Sequence, residues 1–353
     1  MRVGILTSGG DCQALNATMR GLALTLYRNV KDVEIIGFID GYKGLMYEKY
    51  RKMKPKDFYD ILNVGGSILG NSRCPFKRMR IIENGFDKVK AMKTTYKKLE
   101  LDCLVVLGGN GSIKSANMLS QEGLNVIALP KTIDNDAWGT DYTFGYSSAT
   151  AIATRYLDEI KTTAASHSRV FVIEVMGHKV GHICLSAGIA AGADVILLPE
   201  IPYDITVVAK KVKETLKNEK NYAIIACAEG AISEADALMK RKDYKAKVLA
   251  RNGRSVAYEV ADELSQEIDA EIRVSCIGHA QRGGNPDSYD REISTRFGVE
   301  GARLIIKKHY GEYVVLQGNH VTHIPLEATA GKLKYVDTEG EIVQSAKLVG
   351  ISF

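Results

Sequence analysis

Apolar residues fall into two rhythms along the chain. Short runs rich in Val, Ile and Leu, at Val3–Thr7, Val33–Ile39, Leu104–Leu107, Val126–Leu129, Val170–Val175, Val195–Leu198, Ala223–Cys227, Ile272–Ile277 and Tyr313–Leu316, have the length and composition of strands. Between most of them lie longer segments of helical pattern, among them Ala14–Tyr27, Thr143–Ala165, Ile205–Leu216, Ser255–Glu267 and Ile293–Lys308. Strands separated by helices predict an α/β fold with a parallel sheet. No low-complexity tract or usable internal repeat interrupts the alternation.

Glycine and polar clusters follow several of the predicted strands: SGGD at Ser8–Asp11, GGNGS at Gly108–Ser112, PKTIDND at Pro130–Asp136, MGHKVG at Met176–Gly181 and GHAQRGG at Gly278–Gly284. In open α/β sheets, ligands bind beyond the carboxyl ends of the strands, where loop amides and helix N-termini converge. Five such loops on one sheet edge would make a site.

Composition narrows the classes. The 353 residues suggest two domains, and 45% hydrophobic with 25% charged residues is ordinary globular usage. No apolar run approaches the roughly 20 residues a membrane helix needs. The opening MRVGILTSGGDC has no signal-peptide pattern, so a cytoplasmic protein with no membrane partner is expected. The six cysteines are scattered without metal-ligand spacing and are expected to be reduced and mostly buried. A net charge of +5, not gathered into one block, favours small anions over nucleic acid.

Each motif has a plain reading beside a chemical one. Ser8–Asp11 and Gly108–Ser112 fit tight turns as well as phosphate cradles. A dinucleotide fingerprint starting at Gly109 fails at Lys114, and no P-loop pattern occurs. A calcium loop fails because Trp138 and Gly145 stand at ligand positions. Asp134 and Asp136 could share one task, one taking a proton while the other orients metal or phosphate, or could simply form an Asx turn. Lys131 beside them leans toward anion chemistry. His279, Gln281 and Arg282, with Arg273 on the preceding strand, suit a phosphate ester. Taken singly, Arg73, Arg78, Arg169 and His178 are equally consistent with solvated surface charges.

Read in order, SGGDCQALNA, GNSRCPFKR, GGNGS, PKTIDND, SHSR, EVMGH, AEG and IGHAQRGG resemble the motifs of the 6-phosphofructokinases over nearly the whole chain, Val3 to about Leu316. Lys131 before Thr132 is most similar to the branch holding both ATP- and pyrophosphate-dependent members. The resemblance implies two similar three-layer α/β lobes with mainly parallel sheets and the site in the cleft between them. It puts a donor-binding lobe at 1–144 plus about 280–331, and a sugar-phosphate lobe at 145–279 plus about 332–353.

The resemblance implies that Asp134 is the general base toward the sugar 1-hydroxyl, with Thr132 and Asp136 in the same catalytic motif. Gly10, Arg73, Cys74, Gly109, Asn110, Gly111, Ser112 and Lys131 would face the phosphoryl donor. Thr132, Ile133, Asp134, Arg169, Met176, Gly177, His178, Glu229, Arg273, His279, Ala280, Gln281 and Arg282 would hold fructose 6-phosphate. Arg169, Arg273, His279 and Arg282 would take its 6-phosphate, and Arg169 and Arg273 would reach it from a neighbouring subunit of a homo-oligomer. Mg²⁺ is the implied cofactor. Asn110 stands where many members have a magnesium-associated Asp, and its neutral amide is a poorer ligand. His178 replaces a frequent Arg. Gly111 leaves open the space that an Asp fills in pyrophosphate users, which points to ATP, whereas Lys131 is the residue those users carry. The implied reaction is ATP-dependent phosphorylation of fructose 6-phosphate. Pyrophosphate as donor, sedoheptulose 7-phosphate as acceptor and a non-catalytic sugar-phosphate sensor are the rival readings. Arg20 and Lys161 keep charge where effectors bind in allosteric members, but Leu24 replaces another Arg there, so effector control is not expected.

Overall fold

In the computed structural model, which describes residues 1–218, 220–329 and 331–353, the apolar runs form strands of two separate sheets. The chain divides into two units, Met1–Ser148 with Arg282–Lys334, and Ala149–Gln281 with Tyr335–Phe353.

The first unit holds β1 (Arg2–Ser8), β2 (Glu34–Phe38), β3 (Tyr50–Met53), β4 (Cys103–Gly108), β5 (Val126–Pro130), β10 (Glu312–Gln317) and β11 (His320–Pro325). Their order is β11-β10-β5-β4-β1-β2-β3. The five inner strands are parallel, and β3 and β11 run antiparallel at the edges. Every residue of β4 and β5 is buried, which explains why they read as unbroken apolar runs. Tyr-Arg-Lys-Met and His-Val-Thr-His-Ile-Pro are mostly exposed or half-buried, so the two antiparallel edges carry no apolar signal, and the sheet as a whole is mainly parallel, as expected.

Helices Leu15–Asn29 and Ser288–Ile306 cross at close range in this unit, because a Cβ on Gly21 would lie 2.6 Å from the Thr295 carbonyl oxygen. Asp290 in the second of these helices is buried and accepts from Tyr142 Oη (2.7 Å), Gly145 N (2.8 Å), Ser148 N (2.9 Å) and Ser148 Oγ (2.5 Å). Burial raises its pKa, and these donors pull it back down. The carboxylate thereby fixes both the start of helix Tyr146–His167 and the end of the loop that follows β5.

The second unit holds β6 (Val170–Val175), β7 (Val195–Leu197), β8 (Ala223–Ala228) and β9 (Ile272–Cys276), all parallel in the order β7-β8-β6-β9. Val172, Leu197 and Ile225 pack on Val260 and Leu264 of helix Val256–Glu267. The five glycine-rich loops therefore do not share one sheet edge: three follow β1, β4 and β5, and two follow β6 and β9. All six cysteines are free, and Cys12, Cys103, Cys184 and Cys227 are buried. Among the described residues, no helix is long and apolar enough to cross a membrane.

Candidate active site

In the first unit, β1 ends at Ser8 and Gly9 turns the chain at φ +91°. Gly9 N donates to Ser72 O at 3.1 Å, which draws Arg73 and Cys74 alongside. Gly109 then caps helix Asn110–Gln121, whose first-turn N–H groups leave a positive end at the same sheet edge. A Cβ on Gly9 would lie 3.4 Å from Lys131 Nζ and 3.6 Å from Ser112 Oγ, so the loops after β1, β4 and β5 meet there. Lys131 is buried and its ammonium donates to the Gly10 carbonyl; burial lowers its pKa. Gly111 faces open space.

Arg282 also belongs to this group. Its Nη1 donates to Asp11 O at 3.0 Å and would stand 2.8 Å from a Cβ on Gly10, while its Nε is buried without a hydrogen-bond partner. The resemblance put Arg282 with the sugar-phosphate cations. In the structure its guanidinium lies beside the Gly10 loop, at the end of the 3₁₀ turn Gly278–Arg282.

The loop after β5 carries Thr132, Ile133, Asp134 and Asp136. Asp134 is half-buried, whereas Thr132, Ile133 and Asp136 are buried. Within the turn, Thr132 Oγ1 accepts from Asp134 N (3.1 Å), and Asn135 Oδ1 accepts from Thr143 N (3.1 Å). Asn135 sits at φ +53°, a left-handed conformation that Asn tolerates better than most residues.

In the second unit, Met176, Gly177 and His178 follow β6, and His178 takes φ +55°. One carboxylate oxygen of Glu229 accepts from Gly177 N (3.4 Å) and His178 N (3.0 Å), and Gln281 Oε1 accepts from Met176 N (2.8 Å). Glu229 and Gln281 thus shape the Met176–His178 turn, while His279 and Ala280 are exposed on the turn after β9. Arg169 and Arg273 are elsewhere. They precede or begin β6 and β9, at the amino ends of strands whose carboxyl ends carry the other sugar-side residues. Both pair with Glu271, Arg169 Nε at 2.8 Å, and hold that carboxyl below its ordinary range.

Sequence reasoning missed a cavity of about 220 Å³ beside Arg73 and Cys74, lined by Met46, Tyr47, Pro75 and Met79 together with Lys43 and the ion-paired Arg78, Glu83 and Lys88. Of its apolar walls, Met46, Tyr47 and Met79 belong to no motif. Tyr42 Oη links this region to the first turn of helix Asn110–Gln121 by donating to Ser112 O at 2.7 Å.

As a metal site the residues fit poorly. Among those described, no three His, Cys, Asp or Glu are placed to hold a cation, and Asn110 offers an amide whose Nδ2 is buried without a hydrogen-bond partner.

The family profile "Phosphofructokinase" matches residues 2–305, most of the chain. The chain belongs to the phosphofructokinase family. It is 47% identical over 99% of its length to "ATP-dependent 6-phosphofructokinase" of Spirochaeta thermophila, covering 96% of that protein. It is 42% identical to "ATP-dependent 6-phosphofructokinase 3" of Bacteroides thetaiotaomicron, covering all of both chains. Phosphofructokinase from Saccharomyces cerevisiae superposes with a TM-score of 0.81 at 28% identity, over 93% of this chain and 45% of that one. The pyrophosphate-dependent enzyme of Nitrosospira multiformis, at 20% identity with a TM-score of 0.82 over 97% and 87% of the two chains, shares the fold. Members of the family are kinases that generally need a divalent metal.

Lys334 was the other residue missed. Burial pushes its pKa down to about 8, against the attraction of Asp141 and Asp136. Between about pH 8 and 10.5 the unfolded chain keeps a proton that the native ammonium has lost, so native stability rises with pH across that window. The rise is at most about 3 kcal/mol. Urea midpoints of the wild type and Lys334→Met, compared from pH 7.5 to 10, should show the wild type gaining relative to the variant. A flat difference contradicts the assigned burial.

Proposed function

We propose that the chain transfers the γ-phosphoryl group of ATP to the 1-hydroxyl of fructose 6-phosphate, yielding fructose 1,6-bisphosphate and ADP, a step of glycolysis carried out in the cytoplasm. The observation that carries this reading is the cavity beside Arg73 and Cys74, next to the loop that Gly9 N joins through Ser72 O; its walls are apolar, and Lys43 and Arg73 stand with the Arg78–Glu83–Lys88 ion-pair cluster around it, a lining that suits a nucleoside with its phosphates. A pyrophosphate site has no use for such a space. The names of the two most similar relatives described above agree with ATP as donor.

In this reading the donor phosphates lie on the Gly9–Asp11 amides and the N-terminus of helix Asn110–Gln121, between Lys131 and Arg282. Fixed donors around a phosphoryl group need no reorganisation as charge shifts toward the leaving oxygen. Asp134, half-buried at the end of the same loop system, accepts the 1-hydroxyl proton as that oxygen attacks. The Thr132 hydroxyl fixes the Asp134 backbone, and Asp136, turned into the protein near Lys334 and Tyr313, supports the loop. Mg²⁺ is the cation we assign; bound with the donor it would offset phosphate charge, and Asn110 is the side chain the assignment puts beside it, a weaker ligand than a carboxylate. Met176–His178, shaped by Glu229 and Gln281, holds the sugar with His279.

Arg169 and Arg273 support a homo-oligomer. Arg169 precedes β6, whose six residues span about 20 Å, and Arg273 lies near the amino end of β9 and pairs with Glu271, so both cations are held away from the carboxyl ends of these strands. They would serve the site of a neighbouring copy.

Donor choice is testable at Gly111, where an added Cβ meets nothing within 4 Å. Gly111→Asp should fold normally, since an acid in the first turn suits the helix dipole. It should raise KM for ATP by roughly tenfold or more through repulsion of the donor phosphates, about 1.4 kcal/mol. Initial rates with ATP and with pyrophosphate check both points, and faster turnover of the wild type with pyrophosphate than with ATP overturns the assignment.

A further inference from the structure

We infer that Lys334 is a positioning residue for phosphoryl transfer, its side chain and backbone holding the loop between Thr132 and Tyr142 in the conformation that aims Asp134. The inference rests on the assignment of Asp134 as base. Lys334 is about 200 residues from that loop in sequence, yet it meets the loop at four points. Its N donates to Asp136 O (2.9 Å), and its ammonium donates to Asn135 Oδ1 (3.0 Å), Thr140 O (2.9 Å) and Asp141 O (2.9 Å). Leu333 adds an antiparallel bridge to Ala137.

An ammonium has three N–H bonds, and here three oxygens from three different residues take them. The connection continues toward the reacting group. Asn135, in its left-handed conformation, also accepts from Thr143 N, and Thr143 Oγ1 donates to Thr132 O (2.7 Å). Thr132 Oγ1 in turn accepts from Asp134 N. The loop has no regular secondary structure to hold its shape, so removing the ammonium leaves the Thr140 and Asp141 carbonyls without this donor and frees Asn135 to rotate. A shift of about 1 Å in a reacting group costs on the order of 100-fold in rate.

The test uses the full chain with ATP and fructose 6-phosphate. Lys334→Met should lower kcat about 100-fold while KM for either substrate moves less than threefold, and Lys334→Arg, which keeps charge and donors, should recover at least tenfold of the loss. Asn135→Gly, which keeps the left-handed backbone and removes the relay, should lower kcat in the same way. It decides the question if Lys334→Met does not fold. A kcat within twofold of wild type in Asn135→Gly and in folded Lys334→Met overturns the inference, as does a loss confined to thermal stability. Asp134→Asn measured in parallel separates the two readings. If it keeps full kcat, the base assignment fails. If it loses kcat while the Lys334 and Asn135 variants do not, only the positioning role fails.

Discussion

Asp134→Asn should depress kcat by about 100- to 10,000-fold, the range a positioned general base contributes, with KM for fructose 6-phosphate within threefold of wild type. The amide is nearly isosteric but cannot accept the hydroxyl proton. The loop should survive the change, because its turn is held by Thr132 Oγ1, Asn135 Oδ1 and Lys334 rather than by the Asp134 carboxylate acting alone. A drop in kcat without a matching rise in KM is the signature of an interaction made in the transition state. Steady-state kinetics on a variant with an unchanged melting temperature checks this, and unaltered turnover removes Asp134 from the chemistry.

The second large effect concerns sites shared between copies. Arg169→Ala and Asp134→Asn should each give a nearly inactive protein. Co-refolding equal amounts should restore activity, because in the homo-oligomer proposed above a hybrid pair would contain one site with both Asp134 and the neighbouring copy's Arg169 intact. For random pairing in a two-fold dimer the recovery is about one quarter of wild type. Among the described residues, the Arg169 side chain pairs with the exposed Glu271, so its loss should leave the fold standing. Recovery of activity on mixing supports cation supply across the interface. Two inactive variants that stay inactive when mixed, with the mixed assembly confirmed by mass, contradict it.

The legible parts of the fold were those whose burial leaves a mark on composition. Strands such as Cys103–Gly108 and Val126–Pro130, covered on both faces, must be apolar at every position, and they stand out in any reading. Edge strands β3 and β11 pack weakly and tolerate Arg, Lys and His, so they read as loops. The glycine-rich turns were visible because sharp backbone turns restrict residue choice. Their distribution over two sheets was not, since nothing local in a turn records which sheet its strand joins. Arg282 was visible as a cation, but its partner across the fold, the Gly10–Asp11 loop, was not. Lys334 and the cavity walls Met46, Tyr47 and Met79 had no motif at all, and only the folded chain brings them to the loops they serve.

The central claim is that this chain joins the terminal phosphoryl group of ATP to the 1-oxygen of fructose 6-phosphate. ³¹P NMR of the purified protein with both compounds and Mg²⁺ tests it most directly. The account predicts a new sugar-phosphate resonance from a phosphate on carbon 1, growing in step with ADP. ATP that stays intact, or that is hydrolysed with no second phosphate appearing on the sugar, contradicts it.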